Sequence, residues 1–305
     1  MDSWRQFLSL PYDKIPAMII NPGDLKTKDL HQFILGSVAP RPIAFASTID
    51  ENGVANIAPY SFFNAFSSNP PIVVFSSNRR VSNNTTKDTL HNIEKTGEVV
   101  INMVNYDIVH QMALSSIEYP ADVSEFEKAG LTPVPADLVK PFRIKESPVH
   151  MECRVREINT LGTEGGAGHL IICDVLRMHI KDEIIDNGRI NPHKIDLVGR
   201  MGRAYYCRAS GDAVFTLYQP VTRLGIGWDG LPSYIRESRV LSGHEISLLA
   251  SLPNKPTHED LNDFRSSQKG KDFMKVPKGV ERQYYLKKHL KDPELALKMV
   301  FTLKD

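Results

Sequence analysis

The sequence predicts a mainly β fold: an antiparallel β-barrel with short helices inserted, followed by a helical C-terminal extension. Three observations lead there. Two pairs of strand-like runs are joined by turn residues, RPIAFASTID to VANIAPYS through DENG, and VHMECRVREI to HLIICDVLRMHI through TLGTEGGAG. The helical segments among the strands are few and lack the strict βαβ order that a parallel sheet requires. Beyond about residue 210 the β-rich pattern gives way to charged, helically periodic segments. The chain thus divides into an arm over 1–30, a β domain over 31–210 and a mainly helical extension over 211–305.

The arm is rich in proline and polar residues, and its start, MDSWRQFLSLPYDKIP, lacks the basic-then-apolar pattern of a signal peptide. In the first hairpin Gly53 suits the positive φ of a tight turn. PPIVVFSS at 70–77 reads as a strand entered through two prolines. Residues 84–96, NTTKDTLHNIEKT, read as a helix, with Thr85 and Asp88 in the capping pattern and Gly97 at the C-terminal glycine position. GEVVINMVN follows as a strand and YDIVHQMALSSIE as a helix. In the extension, YQPVTRLGIGWDGLPSYIRES is a connector with room for one more strand. SGHEISLLASL then opens on a Ser242–Glu245 capping box, with Ile246, Leu248, Leu249 and Leu252 at helical spacing. THEDLNDFRSS, VERQYYLKKHL and DPELALKMV read as further helices, the last started by Asp292–Pro293.

Charge excludes several classes of function. Lys and Arg number 37 against 36 for Asp and Glu, so there is no electrostatic footprint for nucleic acid or an anionic membrane. Any basic site is local, sized for one small anion. The longest apolar stretches fall short of the ~18 residues that cross a bilayer, and the expectation is a soluble, cytoplasmic protein. The three cysteines, Cys153, Cys173 and Cys207, have neither metal-ligand nor redox spacing. Cys153 and Cys173 lie in apolar strand runs, where a free thiol behaves as a small hydrophobe. No metal site is expected.

Gly225, Gly227 and Gly230 spell G-x-G-x-x-G, but Leu231 and Pro232 follow at once. The dinucleotide fingerprint needs a helix opening there, and Pro232 biases its predecessor away from helix, so the segment reads as a loop. The informative stretch is 41–89. A helix start near Thr85 offers its positive end to an anion, with Thr86, Lys87 and Thr89 in the first turn and Arg79 upstream. Ser47 and Thr48 add hydroxyls. NIAPYSFFNAFSS supplies an apolar wall of Tyr60, Phe62 and Phe63 with Asn56, Ser61 and Asn64 among them, a composition that suits a planar ring and equally an ordinary core with a turn.

The order of these segments is more specific than any one of them. RPIAFASTIDENGVANIAPYSFFNAFSSNPPIVVFSSNRR, then KDTLHNIEKTGEVVINMV, FEKAGLTPVP, SPVHMECRVREI, GHLIICDVLRMHI and VGRMGRAYYCR closely resemble the flavin reductase-like family, which includes flavoredoxins and the reductase components of two-component monooxygenases. The resemblance covers roughly 30–210. It implies an FMN-binding split β-barrel of Greek-key type, working as a homodimer with one FMN per subunit. It implies that Ser47, Thr48, the turn Ala58–Pro59–Tyr60–Ser61–Phe62 and Asn64 line the flavin, and that Arg79, Lys87, Asp88 and Thr89 form the phosphate end. Asp88 repels phosphate, so its expected task is to cap the helix or orient Lys87. His169 stands where shorter relatives carry a Gly-x-His-like motif near the nicotinamide, although here the sequence is Gly-Ala-Gly-His.

The implied activity is hydride transfer from NADH or NADPH to FMN and onward passage of electrons, with the chemistry in the cofactor and no side-chain nucleophile or base. Two rivals stand beside it: a non-catalytic FMN electron carrier reduced by a partner protein, and a flavin-free structural or interaction barrel. A monooxygenase is the kind of redox partner the resemblance implies.

Overall fold

The structure, a computed structural model, describes residues 18–120, 123–217 and 224–302. Most of the proposed arm, and part of the connector after residue 217, lie outside them. The chain forms two compact units, Met1–Val214 and Phe215–Asp305.

The first unit is built on one antiparallel sheet of seven strands. These are β1 (Ala44–Ile49), β2 (Ala55–Tyr60), β3 (Phe63–Ser68), β4 (Pro71–Ser76), β5 (Glu98–Met103), β6 (Val149–Thr160) and β7 (His169–Ile180). Their spatial order is β2-β1-β5-β6-β7-β4-β3. Both expected hairpins form, β1 with β2 and β6 with β7, and Gly53 takes φ +89° in the first turn.

β1 is buried on both faces, so its sequence AFASTI shows little polar alternation. Ala44 and Ala46 face a core with Tyr60, Phe75, Ile101 and Ile171. Ile43 and Phe45 face another with Ile57, Met112 and Phe126. Cys153 and Cys173 sit in the first core with free thiols, and burial pushes the Cys153 thiol up to about 12. Such a group is an inert hydrophobe at neutral pH.

The expectation of a split β-barrel is met in part: the strands form one antiparallel sheet, but among the described residues it stays open between β2 and β3, with no ladder joining them. Local chemistry explains the seam. The Glu125 carboxylate accepts the Ile57 N–H on the free edge of β2 at 3.2 Å, so that edge is already served by a side chain. β3 carries a bulge between Ala65 and Ser67, a common device on an unpaired edge.

The helices of this unit include α1 (Thr27–Ser37), α2 (Asp88–Thr96), α3 (Val109–Leu114) and α4 (Glu125–Ala129). α1 lies partly within the stretch expected to be a plain arm. Its apolar Leu30, Phe33 and Ile34 are at helical spacing, but none of its residues is buried. α2 starts at Asp88 rather than near residue 84, and the Thr85–Asp88 cap does not form. Instead Thr85 Oγ1 donates to Asn83 Oδ1 and accepts from Arg80 Nη1, both within the preceding loop. At its other end α2 stops on Gly97 in the left-handed region, as expected.

Asp137, Glu152 and His179 bring ligand atoms within 4.8 Å of one another. Glu152 is wholly buried and accepts from the backbone of Asp137 and Leu138 at 2.9 and 2.6 Å, while Arg177 pairs with Asp137 at 2.7 Å. The group therefore has its own donors and cation, and it ties the 137–138 loop to the β6–β7 hairpin.

The second unit packs α5 (Gly243–Ala250), α6 (His258–Ser266), α7 (Gln268–Lys275), α8 (Val280–Lys288) and α9 (Pro293–Thr302) around Leu249, Phe273, Leu286, Met299 and Val300. The Ser242–Glu245 capping box forms, and Asp292 Oδ1 accepts the Leu295 N–H ahead of α9. Gly225–Gly230 is a loop ending in a turn, as expected, and residues 224–238 contain no further strand.

Candidate functional site

The β1–β2 register sorts the candidate residues, because side chains along a strand alternate between faces. Thr48 lies opposite Asn56, and Ala46 opposite Ala58, so Thr48, Asn56, Ala58 and Tyr60 share one face. Ser47 and Pro59 belong to the other face with Phe45 and Ile57. Ser47 and Thr48, adjacent in sequence, therefore do not serve one site from the same side.

On the Thr48 face lies a narrow polar cavity lined by Ala58, Arg80, Lys87, Asp88 and Thr89, with Glu118 and Glu125 at its walls. Lys87 Nζ stands 4.9 Å above the centre of the Tyr60 ring. Burial, and then the neighbouring Arg80, hold the Lys87 ammonium below the usual lysine range. Arg80 donates to Thr85 Oγ1 and the Thr86 carbonyl at 2.9 and 2.6 Å and pairs with Glu118 at 2.9 Å. α2 begins beside these cations with no side-chain cap, which leaves its first-turn N–H groups available to an anion.

A buried hydrogen-bond chain backs the cavity. Asn92 donates to Thr48 Oγ1 at 3.1 Å, and Thr48 and Thr89 donate to Asn56 Oδ1 at 3.3 and 2.8 Å. Asn56 Nδ2 in turn donates to both Glu125 oxygens at 3.0 Å. Burial raises the Glu125 carboxyl above its ordinary value, opposed by the hydrogen bonds it accepts from Ile57 and Asn56. Behind Lys87 the hydroxyls of Tyr60 and Ser77 are buried without a hydrogen bond. Burial pushes the Tyr60 phenol up to about 12; the Thr89 and Ser77 hydroxyls stand near enough to oppose the shift without bonding geometry.

The turn after β2 and the start of β3 border a wide cleft of about 540 Å³. Ser61, Phe62, Phe63 and Asn64 form one wall, α1 supplies His31 and Ile34, and the β6–β7 turn contributes Gly166 and Gly168. Residues 58–60 belong to β2, so the expected turn is confined to Ser61–Phe62. Arg41, only 5% exposed, donates to the Leu35 and Met201 carbonyls at 2.7 and 3.0 Å and so ties α1 to the cleft floor.

Two candidates are engaged elsewhere. Arg79 donates through Nε and Nη2 to Asn84 at 2.7 Å in each case, stiffening its own loop, and it is Arg80 that lines the cavity. His169 is buried, with Nδ1 2.9 Å from the Ser77 carbonyl, a structural role at the start of β7. The sequence reading missed Arg80, Arg41 and Glu125. The Arg79–Arg80 pair was visible, but which guanidinium turns inward depends on the loop. Among the described residues, the site sets a corner with two cations near a cleft walled by aromatic rings. At the start of α2, Thr86 Oγ1 also lies 2.6 Å from His91 Nε2, with Asp88 3.9 Å from the other ring nitrogen.

Comparison with known proteins points to one family. The sequence model described as flavin reductase like domain matches residues 35–194, half of the chain. An uncharacterized protein of Aquifex aeolicus is 40% identical over 184 residues, 60% of this chain and 91% of that protein. Among solved structures, nitrilotriacetate monooxygenase component B from Bacillus cereus superposes with a TM-score of 0.62 at 32% identity, covering 67% of this chain and all of the other. The 2-nitrobenzoate 2-nitroreductase NbaA of Pseudomonas fluorescens gives 0.59 at 28% identity over 68% of this chain and all of its own. The flavoredoxin of Desulfovibrio vulgaris, at 20% identity and a TM-score of 0.52, shares the fold. The chain belongs to the flavin reductase-like family.

Proposed function

We propose that the protein binds FMN and works as an oxidoreductase that passes hydride from NADH or NADPH to the flavin and electrons onward to a partner. The observation that carries this reading is the anion corner of Arg80, Lys87 and the uncapped start of α2, set beside the aromatic cleft at Ser61–Asn64. Lys87 would neutralise a phosphate as a point charge, with Arg80 adding a second cation and the Asp88–Thr89 amides donating. Ser61, Phe62 and Asn64 would seat the ring system, the phenyl ring as apolar wall and the two polar side chains at its heteroatom edge. The described residues fit the group through Lys87 and the first amides of α2. Of the three carboxylates on the cavity, Glu118 is paired with Arg80, Glu125 accepts from Asn56 and Ile57, and Asp88 neither caps α2 nor pairs with Lys87 but stands 3.9 Å from His91. When bound, the flavin supplies the hydride and electron chemistry. The protein's part is to hold its tail, wall one face of the ring and leave the other open to a nicotinamide.

The relatives include a monooxygenase component, which supports a monooxygenase or similar acceptor as the redox partner. Exposed apolar side chains at Ile34, Leu176 and Met178 are consistent with a homodimer in solution, to be read from sedimentation.

The test is an absorption spectrum of the FMN-reconstituted, desalted protein, followed by anaerobic NADH and then NADPH. Flavin bands that persist and bleach with a nucleotide are expected. Bands that persist without bleaching would favour a carrier reduced by another protein, and a colourless protein would sink the proposal.

A further inference from the structure

The second unit lies beyond residues 35–194, the segment that the family accounts for, and it has a cavity of its own. About 350 Å³ in volume, it is lined at the α7–α8 junction by Met274, Lys278, Gly279, Arg282 and Gln283. Its charges are one-sided: two cations and no carboxylate stand among the described lining residues.

Arg282 is the unusual member. It is 5% exposed, and its guanidinium sits 5.5 Å from the centre of the Phe273 ring. Nε and Nη2 donate to the Val276 and Met274 carbonyls at 2.8 and 3.1 Å. Those carbonyls end α7, where the helix dipole is negative, and they offset part of the buried charge. Among the described residues no Asp or Glu comes within ion-pair distance of Arg282, and Nη1 makes no hydrogen bond. A buried guanidinium is costly until its charge and its donors are matched. Lys278, exposed and without an ion pair among the described residues, provides a second cation on the same cavity.

The remaining polar groups are already committed. Gln283 spans from the Ser238 hydroxyl to the Tyr234 carbonyl, Thr302 donates to the Lys298 carbonyl at 2.7 Å, and the Tyr234 hydroxyl donates to the Val300 carbonyl. The donors left over belong to Arg282 and Lys278, and Met274 offers an apolar wall. The acidic Glu281 is exposed and stands outside the lining, its carboxylate 3.9 Å from where a Cβ on Gly279 would lie. The cavity is at the small end of the range for organic ligands.

We propose that the C-terminal helical unit holds a binding site for a small organic oxyanion, a carboxylate or phosphate monoester, seated on Arg282 and Lys278. The site is independent of the flavin reading, since its residues lie in the other unit.

The test uses the full chain, isotope-labelled, with backbone amide resonances followed during titration with inorganic phosphate and, separately, benzoate, against chloride at matched ionic strength. Saturable shifts at Gly279, Arg282 and Gln283 with at least one probe are expected, and Lys278→Gln should weaken that binding by roughly threefold to tenfold. Because Lys278 is exposed, the variant should melt like the parent and leave the flavin spectrum unchanged. Saturation by phosphate alone would assign a phosphate ester, and by benzoate alone a carboxylate on an apolar body. Shifts that never saturate, that chloride reproduces, or that ignore Lys278→Gln would overturn the proposal. Phosphate acting at the other unit would show separately, at the amides of Lys87 and Thr89.

Discussion

Lys87 is a cation of the narrow cavity held over an aromatic face in partly desolvated surroundings. Replacing it with alanine removes a charge-assisted contact and should weaken FMN binding by about 1–3 kcal/mol, read by fluorescence titration. An unchanged dissociation constant would remove Lys87 from the site. The pH dependence has a definite sign. The folded Lys87 pKa is lowered, so the unliganded fold disfavours the ammonium, and that penalty fades as pH rises from the lowered value toward the ordinary lysine value. A phosphate needs the charged form, so FMN affinity should fall as pH rises through the lowered pKa, and Lys87→Gln should flatten this fall. The neighbouring arginines provide a contrast. Arg80→Ala should cost more FMN affinity than Arg79→Ala, since Arg80 lines the cavity whereas Arg79 lies outside its lining and is bonded to Asn84. Equal losses would place both guanidinia at the anion. The sequence pointed to Arg79; the path of the loop, which no local pattern encodes, puts Arg80 on the cavity instead.

At the scale of elements, α4 matters to the site through one side chain. Glu125 holds Asn56 and the Ile57 N–H, and Asn56 in turn orders Thr48 and Thr89. Glu125→Ala leaves these donors without their acceptor and should cost roughly 1–3 kcal/mol of stability. It should also loosen FMN binding, because the start of α2 loses its support; denaturant unfolding together with FMN titration checks both. Stability intact with binding unchanged would show that the chain of hydrogen bonds is dispensable. The β6–β7 turn acts similarly on Arg80. A Cβ at Gly165 would lie 3.1 Å from the Arg80 carbonyl, so this glycine allows the turn to rest against the cationic segment. Both hairpins, the C-terminal stop of α2 and the cap of α5 were legible, because turn glycines and capping pairs act within a few residues. The start of α2 was not: Thr85 satisfied its hydroxyl in the Arg80 loop and left the helix to begin at Asp88.

For the whole molecule, the two units have separate cores. The apolar cluster of the second unit runs from Ile226 to Phe301, and the clusters of the sheet unit lie between Ile43 and Val198. Calorimetry of the full chain should therefore show two unfolding transitions, with FMN raising only that of the sheet unit. A single transition shifted as a whole by FMN would mean that the units unfold as one.

The sequence by itself determined the class of the molecule: an antiparallel sheet of the flavin reductase-like family with a helical extension. Periodicity, turn glycines and ordered motifs suffice there, since each is a short-range consequence of backbone geometry. Only the tertiary structure decided that the sheet stays open beside β2, that Ser47 and Thr48 face opposite sides, and that Arg80 rather than Arg79 reaches the cavity. Each of these depends on a partner distant in sequence or on the path of a loop: Glu125 on the β2 edge, Ile57 across from Ser47, Glu118 beside Arg80. Such pairings exist only once the chain has closed on itself, which is why no pattern within a single segment announces them.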